Sequence, residues 1–382
     1  MPSSSLRCLA TTTPGLEHLL AGELAALGLA PSVAAGGVEF AADPDGLATA
    51  LLWLRTAHRV TVRLATFRAR GFAELERHAD AVDWTGILVK GAAVHFRVTS
   101  KKSRLYHEDG IAERLERAVA RGVERTTAVR APSAAEELEA DATQVPPVQR
   151  FVVRLHRDEV TISADAAGAL LHRRGWRQDV AKAPLRETLA AAMLLGAPWD
   201  GRTALHDPFC GSGTLVIEAA LIARRMAPGR SRRFAAERWP MLGEVPFASA
   251  RAVARAQELP AAGVALTGSD RDAGAIAASI ANAERAGVSS DVHFAQATVS
   301  ELSHDDGAGL IVTNPPYGVR VGERDALRNL YATLGTVLRE RRPNWRLAML
   351  SAVPMLDAQL KSKLREVWHT TNGGIPVRLV AS

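Results

Sequence analysis

Asn314 stands directly before two prolines and a tyrosine, in the stretch LIVTNPPYGVR at residues 310–320. Leu310, Ile311 and Val312 predict a buried strand that ends at a group in need of hydrogen bonds. Residues before proline are driven to extended geometry, so Asn314 and Pro315 are both held straight. Proline has no N–H, so the carbonyls there are not drawn into local turns. Asn314 then offers a side-chain carbonyl and Pro315 a backbone one, two acceptors for the two hydrogens of an exocyclic amine. Tyr317 supplies a flat face for the base that carries the amine. An aromatic amine is a poor nucleophile because its lone pair is delocalised. Acceptors that pull on both N–H bonds push it toward a tetrahedral, attacking form. Asn314, Pro315, Pro316 and Tyr317 are therefore the candidate catalytic residues, and the chemistry calls for no metal and no Ser/His/Asp triad. The plainer reading of Pro-Pro-Tyr-Gly is a turn after a strand.

A second constellation, DPFCGSGTLVIEAA, starts at Asp207. Gly211 and Gly213 let the backbone pass close to a ligand, and the apolar helix that follows points its free N–H groups at the same spot. The spacing matches neither G-x-G-x-x-G nor a phosphate-binding loop, since no lysine follows the glycines. An acid placed before the glycines suits a cationic ligand better than a pyrophosphate. S-adenosylmethionine carries a sulfonium and an ammonium, which gives Asp207 and the neighbouring Pro208 a reason to be there. The segment ALTGSD ends another strand with Asp270, a carboxylate placed to accept from both hydroxyls of a ribose or, alternatively, to cap the next helix. It lies farther from the glycines than the roughly 20 residues usual in dinucleotide folds. The excess is a basic insert over residues 224–262.

These motifs need a scaffold. From about residue 181, the strands TALHDPF, VALTGSD, VHFAQAT, GLIVTNPP and RLAMLSAV alternate with helices, after an Ala-rich helix over 184–195. That order predicts a doubly wound, mostly parallel α/β sheet. The closing segment VWHTTNGGIPVRLVAS predicts an antiparallel hairpin around NGG. Upstream, Thr13 and Pro14 begin a helix that carries Leu16, Leu19, Leu20, Leu24 and Leu27 on one face and ends at Gly28. With the strands VEFAA and RVTVRLATFRA and a helix between them, residues 1–70 form a small α+β unit. A strand running into a basic loop follows. An amphipathic helix comes next, with Ile111, Leu115, Ala118, Val119 and Val123 on one side, and then a hairpin turning near residues 157–159. An acidic, proline-containing connection, SAAEELEADATQVPPVQ, separates that helix from the hairpin.

Composition sets the bounds. A chain of 382 residues with 47% hydrophobic content is long enough for two or three domains with real cores. The net charge of +6, carried mostly by arginine, favours a polyanionic partner. The two cysteines, Cys8 and Cys210, exclude a disulfide scaffold and a cysteine-rich metal site. No apolar run is long enough to span a bilayer, and the N-terminus lacks the order of a signal peptide. A cytoplasmic location is expected.

The order DPFCGSGT, GSD, TNPPYGVR resembles the class I methyltransferases that act on exocyclic amines. Together with HRRGWR…APLRETLAAAML upstream, it is similar to the THUMP-domain RNA guanine-N2 methyltransferases, which include a bacterial 23S ribosomal RNA enzyme and tRNA enzymes. The resemblance covers nearly the whole chain. It implies a Rossmann-like class I methyltransferase domain at 177–382, preceded by an N-terminal ferredoxin-like α+β domain at 1–70 and a THUMP RNA-binding domain at 71–176. It also implies S-adenosylmethionine as cofactor, with Asp207, Gly211 and Gly213 on its methionine part and Asp270 on its ribose, while residues 314–317 hold the target base. The third strand of such domains usually ends in an acid that recognises the adenine amine, and here Gln296 stands in that place. The bifunctional ribosomal relatives carry a second catalytic domain, so a chain ending at Ser382 is expected to have one activity.

Three basic clusters are candidates for RNA contact. Lys101, Lys102 and Arg104 share a loop with Tyr106. Arg173, Arg174 and Arg177 surround Trp176, and Arg224, Arg225, Arg230, Arg232 and Arg233 follow the glycine-loop helix. Phosphate tracking with nearby stacking needs such groups. His172 and Cys210 read as structural. The sequence thus predicts methyl transfer to guanine N2 in structured RNA, ribosomal or transfer. The alternatives are an adenine-N6 DNA methyltransferase and a non-catalytic RNA-binding or assembly factor. No membrane or metal partner is expected.

Overall fold

The computed structural model describes residues 5–130, 132–133, 136, 141–178, 185–197, 199–317 and 324–382. Part of the acidic connection, the segment before the Ala-rich helix and the end of the motif at 318–320 lie outside the described residues. By contacts the chain divides into two units. One comprises Met1–Thr12, Leu20–Arg173 and Gly229–Val253, and the other Thr13–Leu19, Arg174–Pro228 and Ala254–Ser382.

The first unit is built on an eight-stranded sheet. Its strands are β1 (Leu6–Thr11), β2 (Pro31–Ala34), β3 (Gly37–Ala42), β4 (Arg59–Arg68), β5 (Ala93–Lys101), β6 (Thr127–Ala128), β7 (Val148–His156) and β8 (Glu159–Asp165). They lie in the order β2-β3-β1-β4-β8-β7-β5-β6. Alternation puts Val60, Val62, Val94, Phe96, Phe151, Val153, Val160 and Ile162 into the core. The helix Glu108–Gly122 buries Ile111, Leu115, Ala118 and Val119, the face its spacing predicts. The turn between β7 and β8 has Arg157 and Asp158 at φ 52° and 65°, the left-handed pair that a two-residue hairpin requires. Several elements went unread in the sequence, among them β1, β2, β6 and the helices Phe72–Asp80 and Val245–Gln257.

Part of the insert after the glycine-loop helix, Gly229–Val253, folds with this first unit. Its Trp239 indole N–H donates to the Gln149 side chain at 2.8 Å. Arg232 is buried and donates to the backbone carbonyls of Ala169, Leu170 and Arg173. This corrects the reading of Arg232 as an RNA contact: a guanidinium held by main-chain oxygens inside the fold cannot follow phosphates.

The second unit holds a seven-stranded sheet: β9 (Ala204–Asp207), β10 (Leu266–Asp270), β11 (Val292–Gln296), β12 (Gly309–Thr313), β13 (Trp345–Ser351), β14 (Arg365–Asn372) and β15 (Ile375–Ala381). The order is β11-β10-β9-β12-β13-β15-β14, parallel as far as β13 and antiparallel beyond it. One core forms on the helices Glu187–Gly196, Thr214–Ala223 and Ala273–Ala286. A second forms on the helix Arg324–Arg341. All five residues of β12 are buried, as expected for a strand covered on both faces. The last hairpin turns through Gly373 and Gly374 at φ 58° and 83°, as NGG predicts.

The first helix starts later than Pro14 suggests, at Glu17. Gly15 takes φ 94°, and a Cβ there would stand 2.1 Å from the His369 carbonyl oxygen. Glu17 instead accepts the Gly15 N–H at 2.7 Å. A contact with a strand near the chain's other end therefore decides the helix start, and local spacing cannot reveal it.

Packing is equally tight at the start of β12, where a Cβ on Gly309 would lie 2.4 Å from the Trp345 ring. Gly309→Ala is expected to lower the protein's melting temperature, at a cost of about 1–3 kcal/mol for overpacking. An unchanged calorimetric midpoint would contradict this packing.

Candidate active site

In the second unit, strand order reverses between β9 and β12, the two central parallel strands. Chains leaving them in opposite directions open a crevice at their carboxyl ends. Asp207 is the last residue of β9, Asp270 of β10 and Gln296 of β11, and Asn314 follows directly on β12. In register, Gly268 lies beside Asp207 and Asp270 beside Gln296. The separate sequence motifs thus meet along one edge of one sheet.

Asp207 is buried, and its Oδ1 accepts from the Phe209 N–H at 3.1 Å and the Thr313 hydroxyl at 2.6 Å. Burial pushes its carboxyl up to about 7, and the charge of Asp270 adds to that, while the two donated hydrogen bonds oppose it. A cation bound beside it would restore the charged form. Pro208 is buried next to it.

The two glycines of the loop do different work. Gly211, at φ 52°, has no heavy atom within 4 Å of where a Cβ would stand, so this side of the loop is open. Gly213, at φ 81°, is pressed against the helix behind: a Cβ would meet Phe294 at 3.0 Å and Ser279 at 3.1 Å. The loop is tied from outside. Asp270 accepts the Gly211 N–H at 3.0 Å, Ser279 donates to the Gly211 carbonyl at 2.8 Å, and Asn282 to that of Ser212 at 3.1 Å. Asp270 is not the helix cap that its position allowed; Asp272 caps the helix Ala273–Ala286 through the N–H groups of Gly274 and Ala275. Instead Asp270 also accepts from Asp272 N at 3.0 Å, so both its oxygens are oriented. Gln296 is exposed and donates its amide N–H to the Arg271 carbonyl at 3.1 Å, which leaves Oε1 as the acceptor of that side chain. Burial and the two nearby carboxylates push the Cys210 thiol up, so no thiolate nucleophile stands here.

At the end of β12, the Asn314 side chain is half-buried, and its Oδ1 atom is buried with no hydrogen-bond partner among the described residues. An unmet buried carbonyl costs about 1–3 kcal/mol. Pro315 is buried and Pro316 exposed, with the Pro316 carbonyl accepting the Tyr331 hydroxyl at 3.4 Å. The Tyr317 hydroxyl accepts from the Asn372 amide at 3.0 Å, which pins a half-buried ring. Thr313, Ser279, Asn282, Tyr331 and Asn372 were not singled out from the sequence. Each acts through a contact distant in the chain, and only Thr313, adjacent to Asn314, had a local reason for attention.

Among the proposed RNA contacts, Lys101, Lys102 and Arg104 are exposed, with Tyr106 beside them. Arg233 is exposed and paired to Glu237 at 2.7 Å, and Arg173 is half-buried. Arg174 requires correction: its side chain is 1% exposed and pairs with the equally buried Glu218 at 3.3 Å, so it serves the interior of the second unit. Trp176 is buried as well and offers no stacking face.

The raised pKa of Asp207 has a testable sign. Its value rises from 3.8 unfolded to about 7 folded, so ionising it costs stability as pH climbs through that window. Asp207→Asn keeps the acceptor for Phe209 and Thr313 and cannot ionise. It is expected to melt above the parent near pH 8, the difference shrinking toward pH 4. A parent that melts higher throughout would contradict the burial described.

The family model described as RMKL-like, methyltransferase domain, matches residues 174–381, and an RlmL ferredoxin-like domain matches residues 7–61. The ribosomal RNA large subunit methyltransferase K/L of Syntrophotalea carbinolica is 36% identical over 98% of this chain. The chain spans about half of that relative, 53% of its length. The Bacillus subtilis protein YpsC, provisionally named an RNA methyltransferase, is 32% identical over 90% of this chain and 87% of its own length. A Listeria monocytogenes structure described as a predicted N6-adenine-specific DNA methylase is 31% identical with a TM-score of 0.85, covering 98% of this chain and 96% of that one. SMU.472, provisionally called a methyltransferase and solved with S-adenosylhomocysteine, is 28% identical with a TM-score of 0.85, covering 99% of this chain and 97% of that one. With its order of strands, its glycine loop and these matches, the chain belongs to the RMKL-like methyltransferase domain family.

Proposed function

We propose that this protein transfers a methyl group from S-adenosylmethionine to the exocyclic N2 amine of a guanine in structured RNA. The observation that carries the reading is the buried Oδ1 of Asn314 at the carboxyl end of β12, which has no partner among the described residues. An acceptor unmet among the described residues at the carboxyl end of a central strand is where a ligand's N–H donor would be satisfied.

The residues fit the cofactor. The open side at Gly211 admits a ligand against the backbone, and Asp207 is a buried carboxylate in need of a cation. When bound, S-adenosylmethionine supplies an electrophilic methyl on a sulfonium. The chain's own groups do the rest. Asp207 and Pro208 flank the methionine part, Asp270 accepts from ribose hydroxyls, and Gln296 Oε1 accepts from the adenine amine. Asn314 Oδ1 and the Pro315 carbonyl each accept one hydrogen of the target amine, which draws its lone pair out of conjugation and aims it. Pro315 and Pro316 keep the acceptors rigid. Tyr317, held by Asn372, stacks on the target base. Neither carbonyl is basic enough to keep the released proton, which leaves to water.

RNA is favoured by the names of the K/L and YpsC relatives, and the ribosomal name favours rRNA within it. The N2 position of guanine rests on the sequence resemblance, because two acceptors serve any exocyclic amine. The description of the Listeria structure favours a second reading, adenine N6 in DNA. We assign residues 1–70 to a ferredoxin-like domain, 71–176 to a THUMP domain and 177–382, apart from the insert Gly229–Val253 that folds with the first unit, to the catalytic domain, and place the protein in the cytoplasm. Among the described residues no helix is long and apolar enough to cross a membrane, and no acid, His and Cys group is placed to hold a metal.

Asn314→Ala is expected to lower kcat by about 10²–10³-fold, the scale for losing one preorganised hydrogen-bonding group, with the cofactor dissociation constant unchanged. Asp270→Ala should instead weaken cofactor binding. Full turnover by Asn314→Ala would sink the catalytic assignment. The substrate is tested with methyl-labelled S-adenosylmethionine and ribosomal RNA, tRNA and DNA from cells lacking this gene, followed by digestion to nucleosides. N2-methylguanosine in one RNA pool is expected. N6-methyladenine in DNA would establish the second reading, and no label with no cofactor binding would leave only an RNA-binding or assembly role.

A further inference from the structure

The eight-stranded sheet of the first unit has a second face, opposite its core, lined with arginines that no segment of the sequence groups together. Strand alternation sends Arg7 of β1, Arg59 and Arg63 of β4, Arg150 and Arg154 of β7 and Arg97 of β5 to this side. They line a groove of about 640 Å³ together with His58 and His156, and the lining contains one acid, Glu159. Some of this charge is already committed: Arg59 pairs with Asp165, Arg63 pairs with Glu39 at 2.6 Å, and Arg150 is buried. Arg7, Arg97 and Arg154 are exposed, and among the described residues none of the three has an ion pair.

Registry makes the arrangement tighter. Arg154 lies opposite Thr99 and Arg97 opposite Val152, so the two guanidiniums are diagonal neighbours on adjacent strands. Lys101 lies opposite His156 and carries the row into the exposed loop of Lys102 and Arg104. Like charges placed this close on a sheet destabilise it, a cost that a bound polyanion relieves. The lining contains no Phe, Tyr or Trp, so it offers no platform for stacking bases. It does offer the hydroxyls of Thr11, Thr61, Thr161 and Ser163, which suit phosphate oxygens. From β1 to β5 the groove crosses four inter-strand gaps of about 4.8 Å, roughly 19 Å in all, room for several phosphates.

We infer that this arginine-lined sheet face holds the sugar–phosphate backbone of the RNA substrate by charge and hydroxyl contacts, without reading its bases. The inference rests on the RNA reading proposed above. It adds a surface that the three sequence clusters do not contain, apart from Lys101 at its rim.

The test uses the full chain carrying Arg97→Glu with Arg154→Glu. Both side chains are exposed on strands, so the substitutions spare the core. A control carries the same charge change on the helix Glu108–Gly122, as Arg117→Glu with Arg121→Glu, both exposed. Dissociation constants for unfractionated tRNA, ribosomal RNA and duplex DNA are measured over a salt series, with cofactor binding measured alongside. The sheet variant is expected to bind RNA at least about tenfold more weakly, its log–log salt slope reduced by about 1–2, since each phosphate contact contributes roughly 0.7–0.9. The control should keep the parent slope, and both should bind cofactor as the parent does. A sheet variant with the parent's affinity and slope overturns the inference while leaving the RNA reading intact. Equal losses in both variants overturn it too, because net charge alone would then account for binding. A parent that binds and methylates duplex DNA but no RNA overturns the RNA reading itself, and this inference with it.

Discussion

The Thr313 hydroxyl donates to the Asp207 carboxylate across the ends of β12 and β9, where strand order in the parallel sheet reverses. One hydrogen bond thereby couples the strand that leads into the glycine loop to the strand that leads into Asn314. It holds a buried, destabilised carboxylate on one side and, on the residue after Thr313, a buried side-chain carbonyl with no partner among the described residues. Both groups cost the fold free energy, and in the function proposed above both are met by ligands of complementary character, a cation for Asp207 and an N–H donor for Asn314. The surrounding residues keep the arrangement stiff. Asp270, Ser279 and Asn282 tie down the loop, Asn372 of the last hairpin holds Tyr317, and Tyr331 bonds the carbonyl of Pro316.

Charge is partitioned in a way that the net value of +6 conceals. Within the second unit, Arg174 and Arg177 pair with Glu218 and Glu187, all with side chains at most 12% exposed. Such pairs give up hydration for mutual attraction and orient neighbouring helices more than they stabilise them. Even beside Arg177, burial pushes the Glu187 carboxyl up to about 7. Within the first unit, Arg232 is spent on main-chain carbonyls, whereas Arg7, Arg97 and Arg154 stand exposed on a sheet face. Density of arginine in sequence and density of positive charge at the surface are therefore different quantities in this protein.

Much of the second unit was legible. Four of its five parallel strands are short runs closed by Asp, Gln or Thr-Asn, and its final turn is marked by NGG. Local preference and tertiary structure agree in those elements, because a strand covered on both faces needs a continuous apolar run and a tight hairpin needs left-handed residues. The first unit was less legible at its edges. β1 and the helix Phe72–Asp80 went unread, and the first helix starts where Gly15 must clear His369. The last of these depends on a contact distant in the chain and leaves no local trace.

The sequence by itself determined the order of strands in the second unit, the residues at the strand ends and the kind of groups they present, because these follow from residue type and local backbone preference. Tertiary structure alone decided which of those groups have partners. It made Asp272 rather than Asp270 the helix cap, turned Arg174 and Arg232 inward, and left Asn314 Oδ1 unmet among the described residues. It also gathered arginines from β1, β4, β5 and β7 onto one face. The physical reason is common to all of them: hydrogen bonding, burial and surface potential are sums over neighbours in space, and a β-sheet takes those neighbours from distant parts of the chain.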